Sequence, residues 1–176
     1  MALTKDDRYM VTGSADKKLK IVDLITRKEI YCFNEEDVGG QVDNIAFSHD
    51  EQYLFAGISN GSIIMLDIKN KQKVKHFKDV HQDRFYGLAI SKNMDFTISC
   101  SSDKSIEVTE IQEKKKMFTY LKKAHCYKVG GIAWTKDSKY FITGSFDQSI
   151  KMFDAETKEE VGAWEQGRNE KKLVFY

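Results

Sequence analysis

The chain has 176 residues, 41% hydrophobic and 12% aromatic, enough apolar material for one packed domain. Its 28 basic and 27 acidic residues leave a net charge of +1, so no global field draws it toward nucleic acid or anionic lipid. No apolar run reaches the roughly eighteen residues of a membrane helix, and the first residues lack the basic-then-apolar layout of a signal peptide. Cys32, Cys100 and Cys126 are an odd number without short paired spacing, which argues against a disulfide framework and a zinc module.

In chain order, Ala2-Leu3 opens the first unit, and the polar turn Thr4-Lys5-Asp6-Asp7 leads into an alternating segment from Tyr9. A second turn at Asp16 follows, then Leu19 and Ile21 alternate with Lys20 up to Asp23, and an aromatic, Phe33, closes the unit. The hydrophobic period of two predicts strands rather than helices. The same order recurs with the turn Ser48-His49-Asp50-Glu51, the segment Tyr53 to Asp67 and Phe77, where Asn60-Gly61 predicts a two-residue hairpin. It recurs again with Ser91-Lys92-Asn93-Met94 and Phe96 to Glu110, and then with Thr135-Lys136-Asp137-Ser138 and Tyr140 to Asp154.

Three markers keep one register. The turn residues Asp16, Asn60, Asp103 and Asp147, the strand-ending acids Asp23, Asp67, Glu110 and Asp154, and the aromatics Phe33, Phe77, Tyr120 and Trp164 are each separated by 44, 43 and 44 residues. Each unit therefore reads as a four-stranded antiparallel meander of about 44 residues. The units span 1–33, 38–77, 80–121 and 124–164, and 165–176 begins a further strand or forms a closing tail.

These residues resemble the WD-repeat family of β-propellers, and the resemblance covers essentially the whole chain. In the fourth unit Ala124-His125 stands for the family's Gly-His, Thr143-Gly144-Ser145-Phe146-Asp147 for its turn, and Phe153-Asp154 for its Trp-Asp. The third keeps Val80-His81 with Ser101-Ser102-Asp103. The resemblance implies an all-β propeller in which His81, Ser101 and Asp103, and likewise His125, Ser145 and Asp147, form buried hydrogen-bonded networks tying loop to turn. Departures are Val22, Leu66, Thr109 and Phe153 at the tryptophan position and Val38 where the second unit should carry histidine.

A hydrolase triad could use the residue types of His125, Ser145 and Asp147. The same constellation recurs in the third unit, however, and a repeated set is better explained by fold geometry than by two active sites. Cys126 beside His125 has no companion at an equivalent place in the repeat, so no metal or other cofactor is expected. Lys114 to Lys116 fall on a solvated turn, with Lys122 and Lys123 nearby.

In propellers the narrow top face is lined by the loop entering each first strand and by the residue before the turn acid. Carried over, these positions are Gln41, Asp43, Arg84, Tyr86, Lys128 and Phe146, a composition suited to a protein interface. The family closes a ring of about seven blades, so four imply an incomplete propeller or a fragment. Its open faces would be covered by another WD-repeat chain, a second copy, or the remainder of a longer protein. The function expected is a non-catalytic scaffold for protein partners in a larger assembly, cytoplasmic and of a cytoskeletal or ciliary kind. The alternative is a propeller-based RNA-binding or enzyme-associated subunit.

Overall fold

A computed structural model describes residues 1–112, 118–121, 124–166 and 171–175, with the backbone alone in 118–121, at 166 and in 171–175. Its strands form four antiparallel sheets, each a meander in chain order. The first holds β1 (Ala2–Leu3), β2 (Tyr9–Gly13), β3 (Leu19–Asp23) and β4 (Lys28–Phe33); the second holds β5 (Val42–Phe47), β6 (Tyr53–Ile58), β7 (Ser62–Asp67) and β8 (Gln72–Phe77). The third holds β9 (Phe85–Ile90), β10 (Phe96–Ser101), β11 (Ile106–Glu110) and β12 (Phe118–Leu121). The fourth holds β13 (Val129–Trp134), β14 (Tyr140–Ser145), β15 (Ser149–Asp154) and β16 (Glu160–Gln166), to which β17 (Lys171–Phe175) adds a fifth strand on the outer edge. These are four consecutive blades of a β-propeller.

Turn chemistry explains why the sequence breaks where it does. Asp7, Glu51, Met94 and Ser138 take φ between 54° and 62° at the fourth turn residue, ahead of each second strand. At the same end of the blades, Asp23 accepts from the Ile25 and Thr26 N–H groups and Asp154 from Glu156 and Thr157, so the strand-ending acid caps the following turn. The Asn60-Gly61 hairpin differs from the two-residue turn expected. Ile58 pairs with Ser62, leaving a three-residue loop with Gly61 at φ 80°. A Cβ at Gly61 would lie 1.8 Å from the His81 carbonyl oxygen, because Val80 and His81 both donate to the Gly61 oxygen. The loop must leave room for the next blade's entry, and only glycine does.

Strand alternation gives each blade two faces, a front toward the next blade and a back toward the previous one. The front of blade 1 (Val11, Leu19, Ile21) packs on the back of blade 2 (Leu54, Ala56, Ile64, Leu66). The front of blade 2 (Phe55, Ile63, Met65) meets Val80, Phe85, Leu88 and Ile111 of blade 3. The front of blade 3 (Ile98, Cys100, Ile106, Val108) packs with Val129, Phe141 and Phe153 of blade 4. Val38, where histidine was missing, ends the short helix α1 (Glu35–Val38) and is buried in the first of these cores.

Candidate functional site

Two buried networks join loop, turn and strand. In blade 3, His81 Nδ1 lies 2.7 Å from Ser105 Oγ and its Nε2 lies 2.8 Å from Ser99 Oγ. Asp103 takes the Ser105 hydroxyl and the N–H groups of Gln82 and Ser105. In blade 4, His125 Nδ1 sits 3.0 Å from Asp147 Oδ2 and 2.9 Å from Ser149 Oγ, with Nε2 at 2.8 Å from Thr143 Oγ1. Because a carboxylate only accepts, the proton of His125 is assigned to Nδ1, and Thr143 donates to Nε2.

The structure corrects the serine assignment in both networks. Ser101 Oγ donates to the Asp83 carbonyl oxygen and accepts from Asp103 N–H, and Ser145 Oγ does the same with the Lys128 oxygen and Asp147 N–H. These serines brace the turn, whereas the histidines are held by Ser99 or Thr143, two residues deeper in the strand, and by Ser105 or Ser149 just past the turn. The reason is geometric: at the strand end a hydroxyl is already consumed by turn N–H and loop carbonyl groups.

Burial raises the Asp103 carboxyl, but hydrogen bonds from His81, Ser105 and the Gln82 N–H outweigh it and hold it well below the usual carboxylate range. Asp147 is held low in the same way, its burial outweighed by Ser149, the Cys126 N–H and His125. For His125, burial pushes the pKa down against the pull of Asp147, which keeps the ring neutral. The hydroxyls on the two histidines belong to Ser99, Ser105, Thr143 and Ser149, all buried and at most 6% exposed. A nucleophile needs access to its substrate, so these constellations act as structural ties.

The second assembly is a surface patch. Gln41, Asp43, Arg84, Tyr86, Lys128 and Phe146 are linked across blades 2, 3 and 4. Arg84 Nη2 reaches Gln41 Oε1 at 3.4 Å, Phe85 N–H donates to Asp43 Oδ2 at 3.2 Å, and Phe146 N–H donates to the Lys128 oxygen. Asp43 and Tyr86 are each the extra residue of a β-bulge at the start of the innermost strand, which turns their side chains out of the ladder. Burial raises the Asp43 carboxyl, partly offset by the Phe85 N–H and Arg84.

Tyr86 (41% exposed) and Phe146 (64% exposed) face one another with ring centroids 6.4 Å apart. Phe146 also rests on Gly130, where a Cβ would lie 2.9 Å from its ring. Tyr127, 53% exposed with Lys104 Nζ 5.8 Å from its ring centre, and Asn44, whose amide donates to the Tyr86 oxygen, join the surroundings of the patch. Sequence reading missed both, although Tyr127 lies in the same entry loop as Lys128.

Of the cysteines, Cys126 is exposed, Cys32 half-buried, and Cys100 buried with its thiol pushed up to about 12 by desolvation. Lys114 to Lys116, Lys122 and Lys123 lie outside the described residues. Among the described residues no group of three or more His, Cys, Asp or Glu side chains is gathered as for a metal ion.

Comparison with known proteins gives three findings. The family model of the cytochrome D1 heme domain matches residues 1–176. A WD repeat domain-containing protein 83 homolog from Dictyostelium discoideum is 23% identical over 109 residues, 62% of this chain and 33% of its own length. A chain in the crystal structure of a mitotic checkpoint complex superposes with a TM-score of 0.81 at 17% identity, over 94% of this chain and 50% of that one. The chain thus spans about a third of its curated relative and half of its structural one.

The first finding raises the question of haem, which proteins hold most often by an imidazole, thiolate or thioether free to reach iron beside a cavity. Both ring nitrogens of His81 and of His125 are already engaged. The cleft of about 380 Å³ between blades 1 and 2 and that of about 640 Å³ between blades 3 and 4 have no His, Cys or Met in their linings. His49 and His76 are exposed on a turn and an edge strand, and neither lines either of these clefts. The described residues do not fit the group.

Proposed function

The chain belongs to the cytochrome D1 heme domain family and is built of WD-repeat propeller blades, and from that premise we propose that it is a non-catalytic scaffold in a larger assembly. Propeller fold and WD-repeat kinship support a protein-interaction role in general, and the structural relative is itself part of a multiprotein complex. The observation that carries the finer reading is the exposed Tyr86 and Phe146 pair, which bridges blades 3 and 4 beside Arg84 and Lys128. Paired aromatics flanked by arginine are the usual anchors of protein interfaces, combining a large apolar face with little conformational entropy to lose. The buried serines and threonine on His81 and His125 speak for structure rather than catalysis. A cytoplasmic, cytoskeletal or ciliary assembly is the setting proposed.

The test is to recover a partner from the native lysate, purify it, and titrate it against the chain and against the Tyr86→Ser/Phe146→Ser variant. Loss of two hot-spot anchors, worth ~2 kcal/mol each, should weaken binding by roughly several hundredfold while the circular dichroism spectrum is unchanged. Equal affinity for both proteins would remove the patch from the interface. Capture of RNA, with affinity falling steeply in salt, would replace the scaffold reading altogether.

A further inference from the structure

The two ends of the described arc are not alike, and each repeats one half of an interface the chain already makes. The front of blade 4 carries Ile142, Ile150 and Met152, with Ile142 opposite Met152 and Ile150 opposite Gly144 in the sheet. Those are the repeat positions of Phe55, Ile63 and Met65 and of Ile98, Ile106 and Val108, which are at most 5% exposed between blades. Ile150 is 48% exposed, and Ile142 and Met152 are only half-buried. Among the described residues no blade lies against this face.

The back of blade 1 presents Met10, Thr12, Lys20 and Val22, with Met10 opposite Val22 and Thr12 opposite Lys20. The corresponding positions in blade 4 are Phe141, Thr143, Lys151 and Phe153, of which the two phenylalanines pack on the front of blade 3. The polar part of the two faces matches residue for residue. Lys20 pairs with Glu29 at 2.9 Å as Lys151 pairs with Glu160 at 2.8 Å, and the threonine is the same. The open back is therefore built like a back that is already covered by an isoleucine-rich front.

A cation at the blade rim completes the match. Lys71 of blade 2 holds its Nζ 4.8 Å from the ring centre of Tyr31 in blade 1, and Lys158 of blade 4 holds its Nζ 4.1 Å from that of Phe96 in blade 3. Both lysines sit at the same place in the repeat, with φ 56° and 65°, but the rings do not: Tyr31 lies on β4 and Phe96 on β10, so the Lys158 contact alone is the pattern for the open ends. Blade 1 has Arg27 there, φ 56°, and blade 4 has Tyr140 where Phe96 stands.

We propose that the front of blade 4 and the back of blade 1 are the two halves of one interface, made between two copies of this chain. Ile142, Ile150 and Met152 of one copy cover Met10 and Val22 of the other, and Arg27 comes to lie at Tyr140 as Lys158 lies at Phe96. One such contact leaves the same pair of faces open at the other ends, so a two-fold axis along the channel makes the contact twice and closes the ring. Two such arcs make a ring of eight blades, one more than the seven or so that the resemblance implies, and this arc matches half the length of a larger propeller-fold chain. This goes beyond the scaffold reading and does not use the Tyr86 and Phe146 patch, so either can fail alone.

The test is the solution mass of the purified chain by light scattering, alongside Ile150→Asp and Arg27→Glu, with circular dichroism as the control for folding. The expected result is a two-chain particle, against 20.3 kDa for one chain, and single-chain particles for each variant. Mixing the variants should restore the two-chain particle, because one of its two interfaces then carries neither change, an outcome that misfolding cannot produce. A wild-type chain that stays single, a ladder of higher multiples, or a chain that pairs only with a different WD-repeat polypeptide would each overturn the proposal.

Discussion

Blades 2 and 3 solve one packing problem with opposite chemistry. At four equivalent positions on their backs, blade 2 places Leu54, Ala56, Ile64 and Leu66, and blade 3 places Thr97, Ser99, Glu107 and Thr109, yet all eight are buried. The difference follows the histidine. Blade 3 has His81, which needs a hydroxyl at Ser99, whereas blade 2 has Val38 in that place and an alanine, Ala56, where the hydroxyl would stand. The turn itself survives in both: Ser62 donates to Asn60 as Ser105 and Ser149 donate to Asp103 and Asp147. A blade can thus be tied either by dispersion and apolar burial or by a closed hydrogen-bond network, and the two sets of residues must change together.

The sharpest way to break this comparison is to mix the solutions. His125→Val alone should cost ~3 kcal/mol in urea unfolding, since Asp147, Thr143 and Ser149 all lose a buried partner. Adding Thr143→Ala and Asp147→Asn installs the set of blade 2, and the triple variant should recover about half of that loss. Additive losses across the three substitutions would show that the positions are independent and the comparison empty.

Acid sharpens it next. His125 has a folded pKa below its ordinary value of about 6.5, so the unfolded chain binds the extra proton and stability falls as pH drops below about 6.5. Asp103 and Asp147 also have lowered folded pKa values, and the stability they contribute above pH ~4 is lost as the pH falls further. Thermal unfolding of the wild type should therefore shift downward between pH 7 and 5 by more than that of the triple variant. Equal shifts would place the acid sensitivity elsewhere.

The smallest effect lies in the polar back of blade 3. The Thr97 and Thr109 hydroxyls are buried and have no hydrogen-bond partner among the described residues. Thr109→Val keeps the shape and removes the orphaned hydroxyl, so it should stabilise the chain by ~1 kcal/mol in the same urea titration. A loss instead would reveal a partner, such as a buried water, on that hydroxyl.

Much of this architecture was legible as spacing. Three markers at 44, 43 and 44 residues fix four blades, because a turn Asp or Asn, a strand-ending acid and an aromatic recur with every meander. The networks were legible as to histidine and aspartate but not as to serine. Ser101 and Ser145 stand nearer the turn acids in sequence, while the register of the sheet puts Ser99 and Thr143 under the imidazole rings. The signal that could have found Ser105 and Ser149 is the Asp-x-Ser step, since a turn aspartate commonly accepts from the residue two places on.

Sequence by itself determined the number of blades, the strand order and which side chains alternate inward, since these follow from hydrophobic period and turn chemistry along the chain. Tertiary structure alone decided what each blade meets. It placed Lys71 and Lys158 over the rings of a neighbouring blade, set Tyr86 against Phe146 across a blade boundary, and left Ile150 exposed where its repeat equivalents are buried. Those contacts join residues about 40 or more positions apart, and only the packing of one sheet on the next brings them within reach.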